Sequence, residues 1–352
     1  MSGFYGYARI GDRVFRERFG LDFEDFVVGQ VFNHRPGVTV TQQDNADEAL
    51  DTINNAQLHY DLHYASATEW KNNLGVSTMT LQRLIGMSSR TFYRRRRFVG
   101  FHGIAMTQPV FGGDTLYARS RITSCADGGD ADTGLIGVTL EGVNQTGAVI
   151  ATVEYRAEVY RRDRHPEALA DARLMQVVEE PRFRLFHPGE DGSLTEQCGL
   201  YYEDFVAGET FEHWPPKTIS AQESASHALR SLEINPRYAD ASYATSVLGG
   251  DVAIFEPFVL GTLTALTTRT FGRVVANLGW TDVEMPRQVK PGESLRAVSV
   301  ISAKRESARR PAQGIVQAVS TMHGEDGAVV CRFHRAFLIY KAGVGPYAAA
   351  GY

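Results

Sequence analysis

The sequence predicts an α+β fold built twice, each half an antiparallel sheet with one helix packed on its face. Three observations predict it. The stretch LDFEDFVVGQVFNH (21–34) matches LYYEDFVAGETFEH (200–213) at eight of fourteen positions, an offset of 179. That offset holds without a gap through Pro36/Pro215, Thr39/Thr218, Gln43/Gln222, Tyr64/Tyr243 and Arg90-Thr91-Phe92/Arg269-Thr270-Phe271, which is the mark of an internal repeat. Within each copy, one apolar segment of helix length precedes several strand-like runs punctuated by glycine. One helix followed by antiparallel strands makes a helix-on-sheet layer, and 352 residues suit two such units.

Each element follows in order. Each copy opens on an aromatic and acidic strand, and a polar stretch follows at 41–65 or 220–244. The helix is expected at VSTMTLQRLIGMSS (76–89) and PFVLGTLTALTTRTF (257–271), where Met79, Leu81, Leu84, Ile85 and Met87 recur near helical spacing. Strands are expected at 91–101, 115–124, 135–143 and 148–160. FGGDTL and KPGESL place glycine where a turn wants positive φ, and NQTGAVI and GEDGAVV read as hairpin turns. Near the end the offset becomes 180, pairing 147–160 with 327–340. The expected boundaries are a first copy at 1–162, a connector rich in charge and proline at 163–199, and a second copy at 200–352.

Composition excludes several classes. A formal net charge of −5 argues against a general nucleic-acid binder. Cys125, Cys198 and Cys331 lie too far apart for a disulfide framework or a thiolate metal site. No apolar run reaches the ~20 residues that span a bilayer, and the N-terminal segment lacks the apolar centre of a signal peptide. The expectation is a cytoplasmic protein with no metal and no nucleic-acid or membrane partner.

The informative stretch is TINNAQLHYDLHYA (52–65), which stands opposite SLEINPRYADASYA (231–244) in the repeat. His59 faces Tyr238, Asn54 faces Glu233, and Asp61 faces Asp240. With PVFGGDTL (109–116), these stretches resemble the MaoC-type hot-dog domain, in which an antiparallel sheet wraps a central helix. Enoyl-CoA-hydrating members of that family carry Asp-x-Asn-Pro-x-His. The first copy keeps the histidine and has Asn54 in place of the aspartate. The second keeps EINP, with Glu233 and Asn235, and has Tyr238 in place of the histidine. The resemblance covers residues 20–160 and 199–341 and implies tandem hot-dog repeats, a double hot-dog. NNAQLHYD and GVSTMTLQR also resemble the double-domain hydratases of mesaconyl-CoA. This implies reversible hydration of a short branched dicarboxylic enoyl-CoA, mesaconyl-CoA to β-methylmalyl-CoA. An acyl-CoA would be the substrate, no separate cofactor would be needed, and a homo-oligomer is expected. The alternatives on the same fold are an acyl-CoA thioesterase and a non-catalytic acyl-CoA binding protein.

Adding water to an α,β-unsaturated thioester needs a base for the water, an acid for the α-carbon, and donors for the charge on the thioester oxygen. His59 is the candidate acid/base, since imidazole exchanges protons near neutral pH. Asn54 would position the water, because an amide cannot serve as a carboxylate base. Val76, Ser77 and Thr78 stand where the family often has His-Gly at the helix start, and would offer N–H groups to the oxyanion. The second copy has Phe255-Glu256 there, and an acid would oppose that charge. Asp51, with Asp44 and Asp47 upstream, is a candidate second proton carrier; alternatively His59 handles both steps through one water. Asp61 and Asp240 recur in both copies and read as helix caps. Glu233, Asn235 and Tyr238 read as remnants of a lost site or as lining of a second pocket. In RRRRFVG (94–100), strand alternation separates Arg94 and Arg96 from Arg95 and Arg97. Arg94 and Arg96 are the candidates for gripping CoA phosphates or a substrate carboxylate, against the plain reading of a solvated edge strand. His34 and His213 read as structural, and His63 and His102 as further pocket candidates.

Overall fold

The computed structural model of the chain describes residues 4–350 except 129 and 348. Two sheets, each of seven strands among the described residues, follow the repeat. The first runs β4 (Arg95–Met106), β7 (Val149–Tyr160), β6 (Thr133–Asn144), β5 (Thr115–Asp127), β3 (Val31–Thr39), β9 (Leu194–Glu196), β8 (Phe186–Pro188). The second runs β11 (Val274–Glu284), β14 (Val329–Tyr340), β13 (Gln313–His323), β12 (Ser294–Glu306), β10 (Thr210–Thr218), β2 (Val14–Glu17), β1 (Tyr7–Gly11). Neighbours are antiparallel except where β9 meets β3 and β2 meets β10.

Each sheet curls around its helix. In the first copy this is α3 (Ser77–Met87), which buries Met79, Thr80 and Leu84. Before it come α1 (Gln42–Asp51) and the short α2 (Leu62–Ala67). A linking helix, α4 (Pro166–Ala170), follows the first sheet. The second copy repeats the set with α5 (Ala221–Arg230), α6 (Ala241–Tyr243) and α7 (Glu256–Leu266), the last burying Val259, Thr262, Leu263 and Leu266. Thr41 and Ser220 cap α1 and α5 by accepting the N–H groups of Asp44 and Glu223, as such residues do at helix starts. Close packing has a repeat signature too. A Cβ at Gly134 would stand 2.2 Å from the Phe23 ring, and one at Gly314 would stand 2.0 Å from Tyr202. The expected turn glycines, Gly113, Gly147, Gly292 and Gly327, all have positive φ.

Two expectations change. The strand expected at 91–101 begins only at Arg95, because 88–90 and the residues after it are turns that end the helix. The stretch 163–199, expected as a connector, carries β8 and β9, and these complete the first sheet. Reciprocally, β1 and β2, within the expected first copy, complete the second sheet. The 179 offset maps one hairpin onto the other: Asp12 onto Asp191, Glu17 onto Glu196, Gly20 onto Gly199. The expected boundaries therefore cut across both sheets. Where the chain segments cross, Tyr5 pairs antiparallel with Arg184, its own repeat equivalent, so a local two-fold relates the exchanged hairpins.

A buried clasp locks each hairpin. Glu196 accepts from Thr91 Oγ1 at 2.6 Å and from the Arg35 N–H at 3.1 Å, and lies 3.1 Å from His34 Nδ1. Glu17 repeats this with Thr270 at 2.6 Å, the Trp214 N–H at 3.1 Å and His213 at 3.5 Å. His34 and His213 are structural, as expected, each also bonded to a buried serine, Ser120 or Ser299.

Candidate active site

The site grows from the link between α1 and α3. Asn45, on the buried face of α1 and 2% exposed, bonds in three directions. Its amide donates to the carbonyls of His59 at 2.9 Å and Leu74 at 3.0 Å, and its oxygen accepts from the Val76 N–H at 2.7 Å. Gln42 also donates to the His59 carbonyl, at 2.7 Å. The polar stretch is thereby tied to the start of α3.

His59 is half-buried, and its Nδ1 lies 2.8 Å from the Leu74 carbonyl. A carbonyl only accepts, so Nδ1 carries the proton and Nε2 of the neutral ring keeps its lone pair. His59 lines a cleft of about 370 Å³ with Trp70, Gly75, Ser77, Thr80, Met106 and Gln108. Gly75 is needed there, since a Cβ would stand 2.8 Å from the Val110 carbonyl. Among the cleft-lining residues His59 is the one histidine, and none is a carboxylate, lysine or arginine. Ser77 begins α3 and is exposed to the cleft, so first-turn N–H groups and the positive end of the helix dipole meet the histidine.

Several expected site residues stand elsewhere. The Val76 N–H is taken by Asn45, and of Val76, Ser77 and Thr78 only Ser77 lines the cleft. The Thr78 hydroxyl itself donates to Glu48. Asn54 accepts from the Ala56 N–H at 3.0 Å, a local turn, and does not line the cleft. Its counterpart Glu233 accepts from the Asn235 N–H at 2.8 Å, so this position does a turn's work in both copies. Asp51 is exposed at the end of α1 and lines a separate cleft of about 720 Å³ with Asp44, Asp47 and Arg83. Arg94 is buried against Asp22 and the Phe19 carbonyl, and Arg96 is exposed and paired with Asp130. Arg97 pairs with Glu158, and the Arg95 guanidinium lies over Phe98. The arginine run is thus committed to structural partners. His63 is exposed on α2, and His102 on β4 accepts from Arg156 on β7. Asp61 and Asp240 cap α2 and α6 through the N–H groups of Tyr64 and Tyr243, as expected. Asn45 escaped the sequence reading. Its one signal is a small polar residue, Ser224, at the equivalent place, where it accepts from the Phe255 N–H.

The second copy is closed at the same place. Tyr238, 8% exposed, donates to Glu256 at 2.6 Å. Burial, then the bond to Glu256, pushes its hydroxyl up to about 12. Ile254 fills the place of Gly75, and Glu256, with Arg237 beside it, that of Ser77. At this place the first copy has an open cleft with His59, and the second is plugged by Tyr238 and Glu256.

Two sheets, each curled around its own helix, give the chain a double hot-dog fold. Residues 184–347 match the family model described as mesaconyl-CoA hydratase, and the match begins at the β8–β9 hairpin. The chain is 27% identical over 149 residues to the mesaconyl-CoA hydratase of Cereibacter sphaeroides, covering 41% of this chain and 42% of that protein. It is 26% identical over 228 residues to the β-methylmalyl-CoA dehydratase of Chloroflexus aurantiacus, covering 58% and 60%. The matches thus span about half the length of these relatives. Among solved structures, a MaoC domain protein of Chloroflexus aurantiacus is 19% identical, covering 92% of this chain and 98% of that one, with a TM-score of 0.40. A Mycobacterium tuberculosis protein with a double hotdog fold is 20% identical, covering 91% and 99%, with a TM-score of 0.38.

Proposed function

We propose that the chain is a hydro-lyase that adds water reversibly to a short enoyl-CoA, with mesaconyl-CoA and β-methylmalyl-CoA as the preferred pair. The observation that carries this reading is His59 held by Leu74 with Nε2 free, beside the start of α3. Nε2 takes a proton from water, and the resulting hydroxide bonds the β-carbon. The double-bond electrons move onto the thioester oxygen, where the Ser77 N–H receives the charge. Since no second titratable group lines the cleft, His59 returns the same proton to the α-carbon, and atoms and charge balance over one water. The steps call for no cofactor beyond the CoA thioester. The choice of mesaconyl-CoA is supported by the family model and the two named relatives. No arginine lines the cleft, and the Thr107 hydroxyl donates to the Val149 carbonyl, so the Gln108 side-chain amide is assigned to the acyl carboxylate.

The test is incubation of the pure protein with crotonyl-, mesaconyl- and itaconyl-CoA, followed by absorbance and mass. The expected result is loss of enoyl absorbance with gain of one water, fastest with mesaconyl-CoA. Release of free CoA without hydration would establish a thioesterase instead, and binding without turnover a binding protein.

A further inference from the structure

We propose that the Thr80 hydroxyl holds the attacking water against His59, a task for which Asn54 stands outside the cleft. The inference rests on the hydro-lyase reading above. Thr80 lies one turn into α3, three residues after Ser77, so the two share a helix face. Both line the cleft with His59. Ser77 is exposed, whereas Thr80 is only 2% exposed. Beyond the core, what the Thr80 side chain meets is the cleft.

A serine or threonine inside a helix can satisfy its hydroxyl on the carbonyl four residues back. This chain does so repeatedly: Thr262 donates to Phe258 at 2.8 Å, Thr264 to Leu260 at 3.0 Å, and Ser66 to Leu62 at 2.7 Å. Thr80 departs from that habit. The Val76 carbonyl, four residues back, takes the Thr80 N–H at 3.2 Å. On the same helix Thr78 and Gln82 donate to Glu48, but the Thr80 hydroxyl has no hydrogen-bond partner among the described residues. Leaving a hydroxyl unbonded at such a place is costly, and a water in the cleft removes the cost.

The second copy supplies a control. The 179 offset maps Thr80 onto Val259, which is 3% exposed in the core of that half. Valine and threonine are both β-branched and nearly alike in shape, so packing at this position asks for the shape alone. The hydroxyl is present in the copy with His59 and absent from the copy closed by Tyr238. The chemistry gives it a use. His59 Nε2 accepts one hydrogen of the water, and an acceptor for the other fixes the oxygen lone pair toward the β-carbon. The Thr107 hydroxyl is turned to the Val149 carbonyl, and Asn54 to the Ala56 N–H. The Thr80 oxygen accepts that second hydrogen and transfers no proton itself.

Two measurements test the assignment. A high-resolution crystal structure of the unliganded protein should show an ordered water within about 2.6–3.2 Å of both Thr80 Oγ1 and His59 Nε2, and Thr80→Val should lack it. This readout needs no turnover: the water present in a protein that hydrates no enoyl-CoA would overturn the reaction and uphold the water site. Initial rates with mesaconyl-CoA are the second measurement. Thr80→Val should lower kcat on the order of 10–10²-fold, the cost of a misplaced reactant, with KM within about twofold. Its thermal midpoint should be unchanged or higher, as Val259 fits the same place in the second copy. Thr80→Ser keeps the hydroxyl and should stay within about threefold of the parent kcat. An unmodified protein without that water overturns the proposal, as does a Thr80→Val enzyme with the parent's kcat. An equal loss in Thr80→Ser would overturn it in favour of packing, and a change confined to KM in favour of substrate binding.

Discussion

His59 and Asn45 meet at one acceptor: the Leu74 carbonyl receives His59 Nδ1–H at 2.8 Å and the Asn45 amide at 3.0 Å. The shared acceptor fixes the ring's tautomer and its direction together. Replacing His59 with glutamine should lower kcat for hydration by about 10²–10⁴-fold, the usual worth of a positioned acid/base. The thermal midpoint should barely move. Full retained activity would remove His59 from the mechanism.

Asn45→Ala leaves the Val76 N–H unbonded, while the Leu74 and His59 carbonyls keep His59 Nδ1 and Gln42. The expected cost is about 1–3 kcal/mol of stability, from one buried donor left unpaired. Activity should fall mainly in kcat, about 10–100-fold, as for other orienting partners of a histidine, with KM little changed. Asn45→Ser should recover part of both, because Ser224 satisfies the equivalent Phe255 N–H in the second copy. A change confined to KM would assign Asn45 to substrate binding instead.

The arginine run separates by partner. Arg94 is buried against Asp22, and Arg94→Ala should cost about 1–3 kcal/mol, because Asp22 keeps Arg18 at 2.9 Å. Arg96→Ala, at an exposed pair with Asp130, should leave both folding and KM for the CoA thioester unchanged. Denaturant titrations and initial rates check both, and a large rise in KM for Arg96→Ala would return that residue to the ligand.

Glu196 gives the fold an acid-sensitive clasp. Burial pushes its carboxyl up, but His34, Arg90 and Thr91 together outweigh burial and hold it below the ordinary glutamate value. The folded state therefore binds this proton less readily than the unfolded chain. Its stabilising contribution is complete above the usual glutamate pKa of about 4.3 and is lost as pH falls through the lower folded value. Glu196→Gln should reduce stability at neutral pH by about 1–3 kcal/mol and flatten the acid limb of the melting profile. A profile as steep as the parent's would place the acid sensitivity elsewhere.

Features that depend on neighbours in sequence were legible there. The offset of 179, the two central helices, the turn glycines and the caps at Asp61 and Asp240 all report local chemistry or periodicity. The exchanged hairpins were hidden because β-pairing partners are set by distant strands. Residues 7–20 and 186–199 share only Asp12/Asp191, Glu17/Glu196 and Gly20/Gly199. The arginines misled for a related reason: a run of charge does not name its partners, and Asp22, Asp130 and Glu158 lie 72, 34 and 61 residues away. Asn45 was invisible because a polar residue on an amphipathic helix gives no sign that its partners lie on two later loops.

The exchanged hairpins also bear on how such a chain survives mutation. After the duplication, each half finished the sheet of its twin, so deleting either would strip a strand pair from the survivor. The half with Tyr238 opposite His59 is thereby free to vary its chemistry yet not free to disappear. Its persistence is an inheritance of interleaving, maintained by the folding needs of the half that carries His59.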